Sequence, residues 1–449
     1  MLVISTTHPI SGREVIGLHD RLSQRYQHLN DLDFAFLFNV PPVRIGEIKK
    51  AVPGGRENES QQRQSADPSG RKNPRTMSPT HAIMVRLLSK YPELTPLPPQ
   101  PTSVEVWEAI SPYMPKPNGS SRNVPNVNRI GFAPLFGRSY VSSYKLLSEE
   151  MHTASTPSAN VMRLYVLVMS KFAEILVMTV KDYLAERAPQ SLMEELDSRL
   201  EPDWTVLRWE SDLYRYIPKK ADREEVKAVV QERRKAWFDL YLAVLQDEAV
   251  SRDLDASEAI AKGNWRNAQP VTDKDMRKYE PRQRPILGRY SPELDDLKEA
   301  HRFGLTSSEF YWLLGMQVKA YYRIREKGNQ RLDAPTSILL RYLYRQPKDI
   351  KHFFAPEMDV QEMLAIIKRE DPEFNPMHLG PLLGGSNVVS YHLLQKGNRP
   401  FARRLAMIWE REKHRTPDLY WRLRRCVEEE VFARGLDIDE FWERRKWNV

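Results

Sequence analysis

The sequence predicts an all-α protein made of tandem helix-turn-helix domains in two duplicated pairs joined by a helical spacer. Three observations predict it. One sixteen-residue pattern occurs four times along the chain. Each occurrence is followed by a proline and an apolar run with helical spacing. Alternating apolar and polar stretches, the signature of half-buried strands, are nearly absent.

The first repeat is Leu37 to Val52, LFNVPPVRIGEIKKAV, and the second is Leu135 to Glu150, LFGRSYVSSYKLLSEE. The third is Leu313 to Gly328, LLGMQVKAYYRIREKG, and the fourth is Leu382 to Gly397, LLGGSNVVSYHLLQKG. They align without gaps. An apolar pair opens each, and a turn residue follows: Asn39, Gly137, Gly315 or Gly384. Tyr144, Tyr322 and Tyr391 share one column, and Ile48, Leu146, Ile324 and Leu393 another. Apolar helical runs then begin at Pro79, Pro157, Pro335 and Pro400. Proline suits the first turn of a helix, where its missing N–H costs nothing. The pattern reads as a short helix, a sharp turn that needs positive φ, a second short helix, and a third helix that closes the core.

The repeats also pair. TSVEVWEAI (Thr102 to Ile110) follows the first repeat as MDVQEMLAI (Met358 to Ile366) follows the third. The offset between halves is 276 residues at Leu37/Leu313, 256 at Pro79/Pro335 and 247 at Leu135/Leu382. The expected domains are 1–96, holding repeat one with a long polar loop at 52–78, and 97–185, holding repeat two. A helical spacer follows at 186–262, cut by Pro189, Pro202 and Pro218. Repeat three occupies 263–357 after a basic, proline-rich linker, and repeat four with C-terminal helices occupies 358–449. The loop at 52–78 and a linker from Pro115 to Asn128 carry too few apolar residues to fold alone.

Composition narrows the function classes. The net charge of +8 suits a polyanionic partner. Cys426 is the only cysteine, so neither an intramolecular disulfide nor a paired-cysteine metal site can form, which suits a reducing cytoplasm. The N-terminal stretch lacks the basic and apolar regions of a signal peptide. Val161 to Val180 is the most apolar segment, but Arg163, Lys171 and Glu174 within it argue for a buried helix over a membrane span. Phosphate-cradling glycine loops, HExxH and GxSxG are missing, and no histidine has a partner at metal-ligand spacing. The expectation is a cytoplasmic protein that is not an enzyme and has no cofactor, metal or membrane partner.

LLGMQVKAYYRIREKG followed by APTSILLRYL, and LLGGSNVVSYHLLQKGNRPFARRLAMIW, resemble the lambda-repressor/Cro-like helix-turn-helix family. The resemblance covers about half the chain as four units. It departs at Met316 and Gln317, and in repeat one at Pro41, Pro42 and Glu47. It implies duplex DNA as partner, with the second helix of each motif in a major groove. Carried over by position, the exposed residues of those helices are Arg44, Lys49 and Lys50 in repeat one, and Arg138, Ser139, Tyr140, Tyr144 and Lys145 in repeat two. In repeat three they are Gln317, Lys319, Tyr322 and Arg323, and in repeat four Ser386, Asn387, Ser390, Tyr391 and His392. Lys327, Asn329, Arg331, Lys396, Asn398 and Arg399 follow in the loops as phosphate contacts. Gln and Asn match adenine edges and Arg matches guanine, whereas Tyr, Ser and Lys more often hold phosphates.

Three or four such units would span about 30–40 bp at one helical turn each. That mode fits a transcription regulator, or a protein marking an origin, transfer or partition site of a plasmid or other mobile element. A homo-oligomer or an added protein partner is compatible with it. The alternative is a helical-repeat scaffold that binds proteins. A continuous basic face through Lys145, Lys319, Arg323, Lys327 and His392 would favour DNA. A face that is apolar, or broken by Glu47, Glu149 and Glu150, would favour the scaffold.

Overall fold

The computed structural model describes residues 8–26, 29–40, 45–47, 77–114, 127–148, 157–199, 210–266, 305, 307–315, 332–397 and 402–447. Among these the protein is all-helical, with no strand. No helix among them is long and apolar enough to cross a membrane. The expected loop at 52–78 and the linker at 115–128 lie almost wholly outside the described residues, and of the linker expected at 262–292 only 262–266 are described.

In chain order the principal helices are α1 (Gly12–Arg25), α2 (Asp31–Phe38), α3 (Pro79–Lys90), α4 (Ser103–Ile110), α5 (Val141–Leu146), α6 (Ala159–Ala185) and α7 (Lys220–Ser251). They continue as α8 (Ala256–Lys262), α9 (Ser307–Leu314), α10 (Ala334–Arg345), α11 (Val360–Glu370), α12 (Asn387–Lys396), α13 (Arg403–Glu412), α14 (Leu419–Ala433) and α15 (Ile438–Arg444). Local sequence explains several starts. Ser11 with Glu14, Asn30 with Asp33, and Thr102 with Glu105 form reciprocal capping boxes at α1, α2 and α4.

Two compact units form. The terminal unit joins Met1–Leu97 to Phe354–Val449, and the central unit is Pro98–Phe353. Repeat one therefore folds with repeat four, and repeat two with repeat three, so each unit takes one copy from each half of the chain.

The turn column behaves as its residue types demand. Asn39, Gly137, Gly315 and Gly384 all adopt left-handed backbone, with φ of 50°, 70°, 63° and 86°. The turns are also tight. A Cβ on Gly137 would lie 2.8 Å from the nitrogen of Pro335, and one on Gly315 2.7 Å from that of Asn160. A Cβ on Gly384 would strike the backbone of Thr80. Each of these turns thus abuts the first turn of the helix that follows the companion repeat. A shared arginine adds a second tie. Arg163 donates from Nε to the carbonyl of Trp312 at 3.3 Å, with its guanidinium 3.7 Å from the indole centre. Arg404 does the same to Phe36, at 2.8 Å and 3.9 Å.

The prolines do not superpose as the repeat alignment expects. Pro79 is the first residue of α3, Pro335 the second of α10, and Pro157 precedes the N-cap Ser158 of α6. All three places tolerate a residue without an N–H, so proline marks the first turn and not the register.

The segment expected as a spacer is core. Trp237, Phe238, Tyr241, Val244 and Leu245 of α7 are buried. Trp237 donates its indole N–H to the Tyr342 hydroxyl at 2.7 Å, and Tyr241 donates to the Leu135 carbonyl at 2.8 Å. The expected apolar helix at 161–180 is α6, buried along most of its length. Its C-terminal end packs Leu176, Val180 and Leu184 with Leu196, Ile217, Val226 and Val230.

Candidate nucleic-acid interface

The second helix of the turn motif is described in two repeats: α5 of repeat two in the central unit, and α12 of repeat four in the terminal unit. Both are held from below by the same bonds. In the central unit the Ser143 hydroxyl accepts from the Ala133 N–H at 2.9 Å and donates to the Ile130 carbonyl at 2.8 Å. In the terminal unit the Ser390 hydroxyl accepts from the Gly380 N–H at 2.8 Å and donates to the Met377 carbonyl at 2.6 Å. Leu146 and Leu393 are buried beside them. Each serine ties its helix to the segment before the turn, which fixes how the helix is rotated about its axis.

A second repeated block supports the same floor, and the repeat alignment above does not contain it. Residues 248–265 match residues 430–447 at an offset of 182. Trp265 donates its indole N–H to the Pro134 carbonyl at 3.0 Å, and Trp447 donates to the Pro381 carbonyl at 3.2 Å. Pro134 and Pro381 stand at the same place in their turn motifs.

At the head of the block lies a buried carboxylate between two arginines. Glu430 accepts from Arg86 Nε and Arg434 Nε, each at 2.8 Å, and Arg434 reaches on to the Met77 carbonyl at 2.7 Å. Glu248 accepts from Arg252 Nε at 2.6 Å, from the Ser337 hydroxyl at 2.8 Å and from Arg341 Nε, and Arg252 reaches the Leu332 carbonyl at 3.0 Å.

The outward face is also shared. Val141 and Tyr144 are 48% and 60% exposed, and Val388 and Tyr391 are 59% and 52% exposed. Residues three apart lie on one helix face, so each pair forms a short apolar stripe. Lys145 and Lys396 are exposed toward the helix ends and make no ion pair among the described residues.

Other expected contacts sit differently. Ser390 was expected on the exposed surface but is buried, because its hydroxyl satisfies both of its bonds beneath the helix. Arg138 turns inward to the Ser158 hydroxyl and to Asn160 Oδ1, the latter at 3.5 Å. Asn387 uses its side-chain oxygen on the Val388 N–H at 2.9 Å. Ser139 lies 3.4 Å from the Ser142 hydroxyl, and Tyr140 is exposed. Ser386 caps α12 by position, without a side-chain capping bond. His392 is half-buried, with its ring 5.9 Å from Tyr391. Arg44, Lys49, Lys50, Gln317, Lys319, Tyr322, Arg323, Lys327, Asn329, Arg331, Asn398 and Arg399 lie outside the described residues.

No family model, curated protein or solved structure matches the chain.

The structure adds basic residues that the repeat alignment misses. The Asn387 N–H donates to the Arg445 carbonyl at 3.2 Å, which sets Arg444, Arg445 and Lys446 beside the start of α12. Arg445 adopts a φ of 58°, at the position where the matching block carries Gly263.

One buried ionisable cluster lies elsewhere in the central unit. Glu174, Asp349 and His352 bring ligand-type atoms within 4.8 Å of one another. Lys171 already lies 2.6 Å from Glu174 and 3.0 Å from Asp349, and so supplies the positive charge that a cation would bring. Burial alone would raise the Glu174 pKa, but His352, Lys171 and Lys351 outweigh it and hold the carboxyl well below its usual range. Its members stand up to 178 residues apart, so no local spacing announces it.

Proposed function

We propose that the protein binds duplex DNA, with each compact unit presenting the second helix of a turn motif to a major groove. The observation that carries this is the shared build of α5 and α12. Each is clamped underneath by a buried serine and leaves a valine and a tyrosine facing solvent, with an exposed lysine, Lys145 or Lys396, toward the helix end. A helix-turn-helix places its second helix in that way. The net charge of +8, Lys145, Lys396 and the basic run Arg444–Lys446 supply phosphate contacts. The reading fits a sequence-specific regulator of transcription or a protein marking an origin, transfer or partition site.

Binding-site selection from random duplexes, followed by salt titration, tests it. A recovered motif longer than about 15 bp with a steep salt slope is expected. Lys145→Ala and Lys396→Ala should each lower that slope by about one. Binding that shows no enrichment and no salt dependence would remove the proposal.

The exposed Val–Tyr stripes favour a second reading, a scaffold that docks protein partners through the same two helices. In that case the selection returns no motif, and Tyr144→Ala with Tyr391→Ala abolishes capture of a protein partner.

A further inference from the structure

We infer that α5 and α12 read thymine through its C5 methyl group, with Val141 and Val388 as the contacting side chains and Tyr144 and Tyr391 flanking them. This rests on the DNA-binding reading above and states what the helices recognise.

Val141 is the first residue of α5 and Val388 the second of α12. Residues near the N-terminus of the second helix are the ones that reach base edges. Both valines point outward, because Ser143 and Ser390 fix the opposite side of each helix.

Several polar groups near these first turns are already engaged. Asn387 bonds the Val388 N–H, Arg138 bonds Ser158, and the Ser143 and Ser390 hydroxyls are spent on backbone. The Arg138 guanidinium and the Asn387 side-chain oxygen are thereby drawn away from a base-reading fork. The apolar feature that distinguishes one base in the major groove is the thymine methyl, and small apolar side chains contact it.

Aligned over VSSYKL and VVSYHL, Ser142 faces Val389 and Lys145 faces His392. Four positions stay identical. Two of them, the serine and the leucine, are buried and carry the clamp. The other two are Val141/Val388 and Tyr144/Tyr391, which are about half exposed to solvent. A shared external ligand accounts for their identity.

The test uses the full chain and the duplex recovered by selection, made once with thymidine and once with deoxyuridine in its place. Each lost methyl contact should weaken binding about fourfold, and two contacts about fifteenfold. Val141→Ala with Val388→Ala should melt as the parent does, bind the thymidine duplex more weakly and lose the preference over uracil. Equal affinity of the parent protein for both duplexes, with salt-sensitive binding intact, overturns the methyl inference and leaves DNA binding standing. Failure to recover any duplex overturns DNA binding itself and returns the Val–Tyr stripes to a protein partner.

Discussion

Replacing Glu430 with glutamine would remove one charge and almost no volume at a point where two cationic side chains meet. Glu430 and Arg86 are fully buried, and Arg434 is largely so. Breaking a buried ion pair costs about 3–5 kcal/mol, because the remaining charge stays out of water. Glutamine keeps one acceptor oxygen, so about 3 kcal/mol is expected here. That is a large share of a stability of roughly 5–15 kcal/mol. With a urea dependence of roughly 3 kcal/mol per molar, the midpoint should fall by about 1 M. Urea unfolding followed by far-UV circular dichroism reads it directly. Glu258→Gln is the control, since it breaks an exposed pair with Lys262 and should cost under about 0.5 kcal/mol. Glu248→Gln should match Glu430→Gln, because Glu248 holds Arg252 and Arg341 in the same arrangement. Replacing Glu430 by leucine together with Arg86→Met and Arg434→Met should recover much of the loss, since no buried charge then remains. A Glu430→Gln midpoint indistinguishable from the control would refute the burial argument.

Ser390→Ala would leave the Gly380 N–H and the Met377 carbonyl without their bonds, at a cost of about 1–3 kcal/mol. A thermal melt checks the stability loss, and the same variant should lose DNA affinity because α12 is no longer held in rotation. Glu370 supplies a pH dependence. Burial, and next the Asp418 carboxylate, push its pKa up to about 7 from an ordinary 4.5. The folded state therefore keeps a proton that the unfolded chain has already released, and stability should fall as pH rises from about 5 through about 7. Glu370→Gln should flatten that fall, gaining about 1 kcal/mol at pH 8 relative to pH 5 after allowance for solvent screening. Parallel pH profiles for parent and variant would count against the assignment.

Parts of this fold are legible in the sequence because backbone geometry selects residue types. Left-handed turns demand glycine or asparagine, and Asn39, Gly137, Gly315 and Gly384 stand out for that reason. The apolar spacing of α6 and α7 likewise announces helices. What those helices pack against is another matter. Periodicity shows that one face of α7 is buried, but nothing in it says that Trp237 meets Tyr342 or that Tyr241 meets Leu135. The pairing of repeats is equally silent, since the contacts of Arg163 with Trp312 and of Arg404 with Phe36 span 149 and 368 residues. The block at 248–265 escapes an alignment built on apolar columns, because most of its identities are polar. Glu248/Glu430, Arg252/Arg434, Asp255/Asp437 and Glu258/Glu440 carry it, with Leu254/Leu436 and Trp265/Trp447.

The site shows why polarity misleads at a clamped helix. Serine reads as surface by composition, which puts Ser390 among the expected DNA contacts. A serine under a helix, however, can satisfy its donor and its acceptor within one loop, so burying it costs little. Once Ser143 and Leu146 are assigned inward, the 100° step between successive residues turns Tyr144 and Val141 outward. Tyr144 and Tyr391 are then not core, although an aromatic repeated at helical spacing ordinarily would be. A serine and a leucine hold the helix while a valine and a tyrosine face water, in both copies. Folding alone gives no reason for that inversion, since exposing Val141, Tyr144, Val388 and Tyr391 adds nothing to stability. In the DNA-binding reading proposed above, those four side chains are the ones that meet the bound duplex.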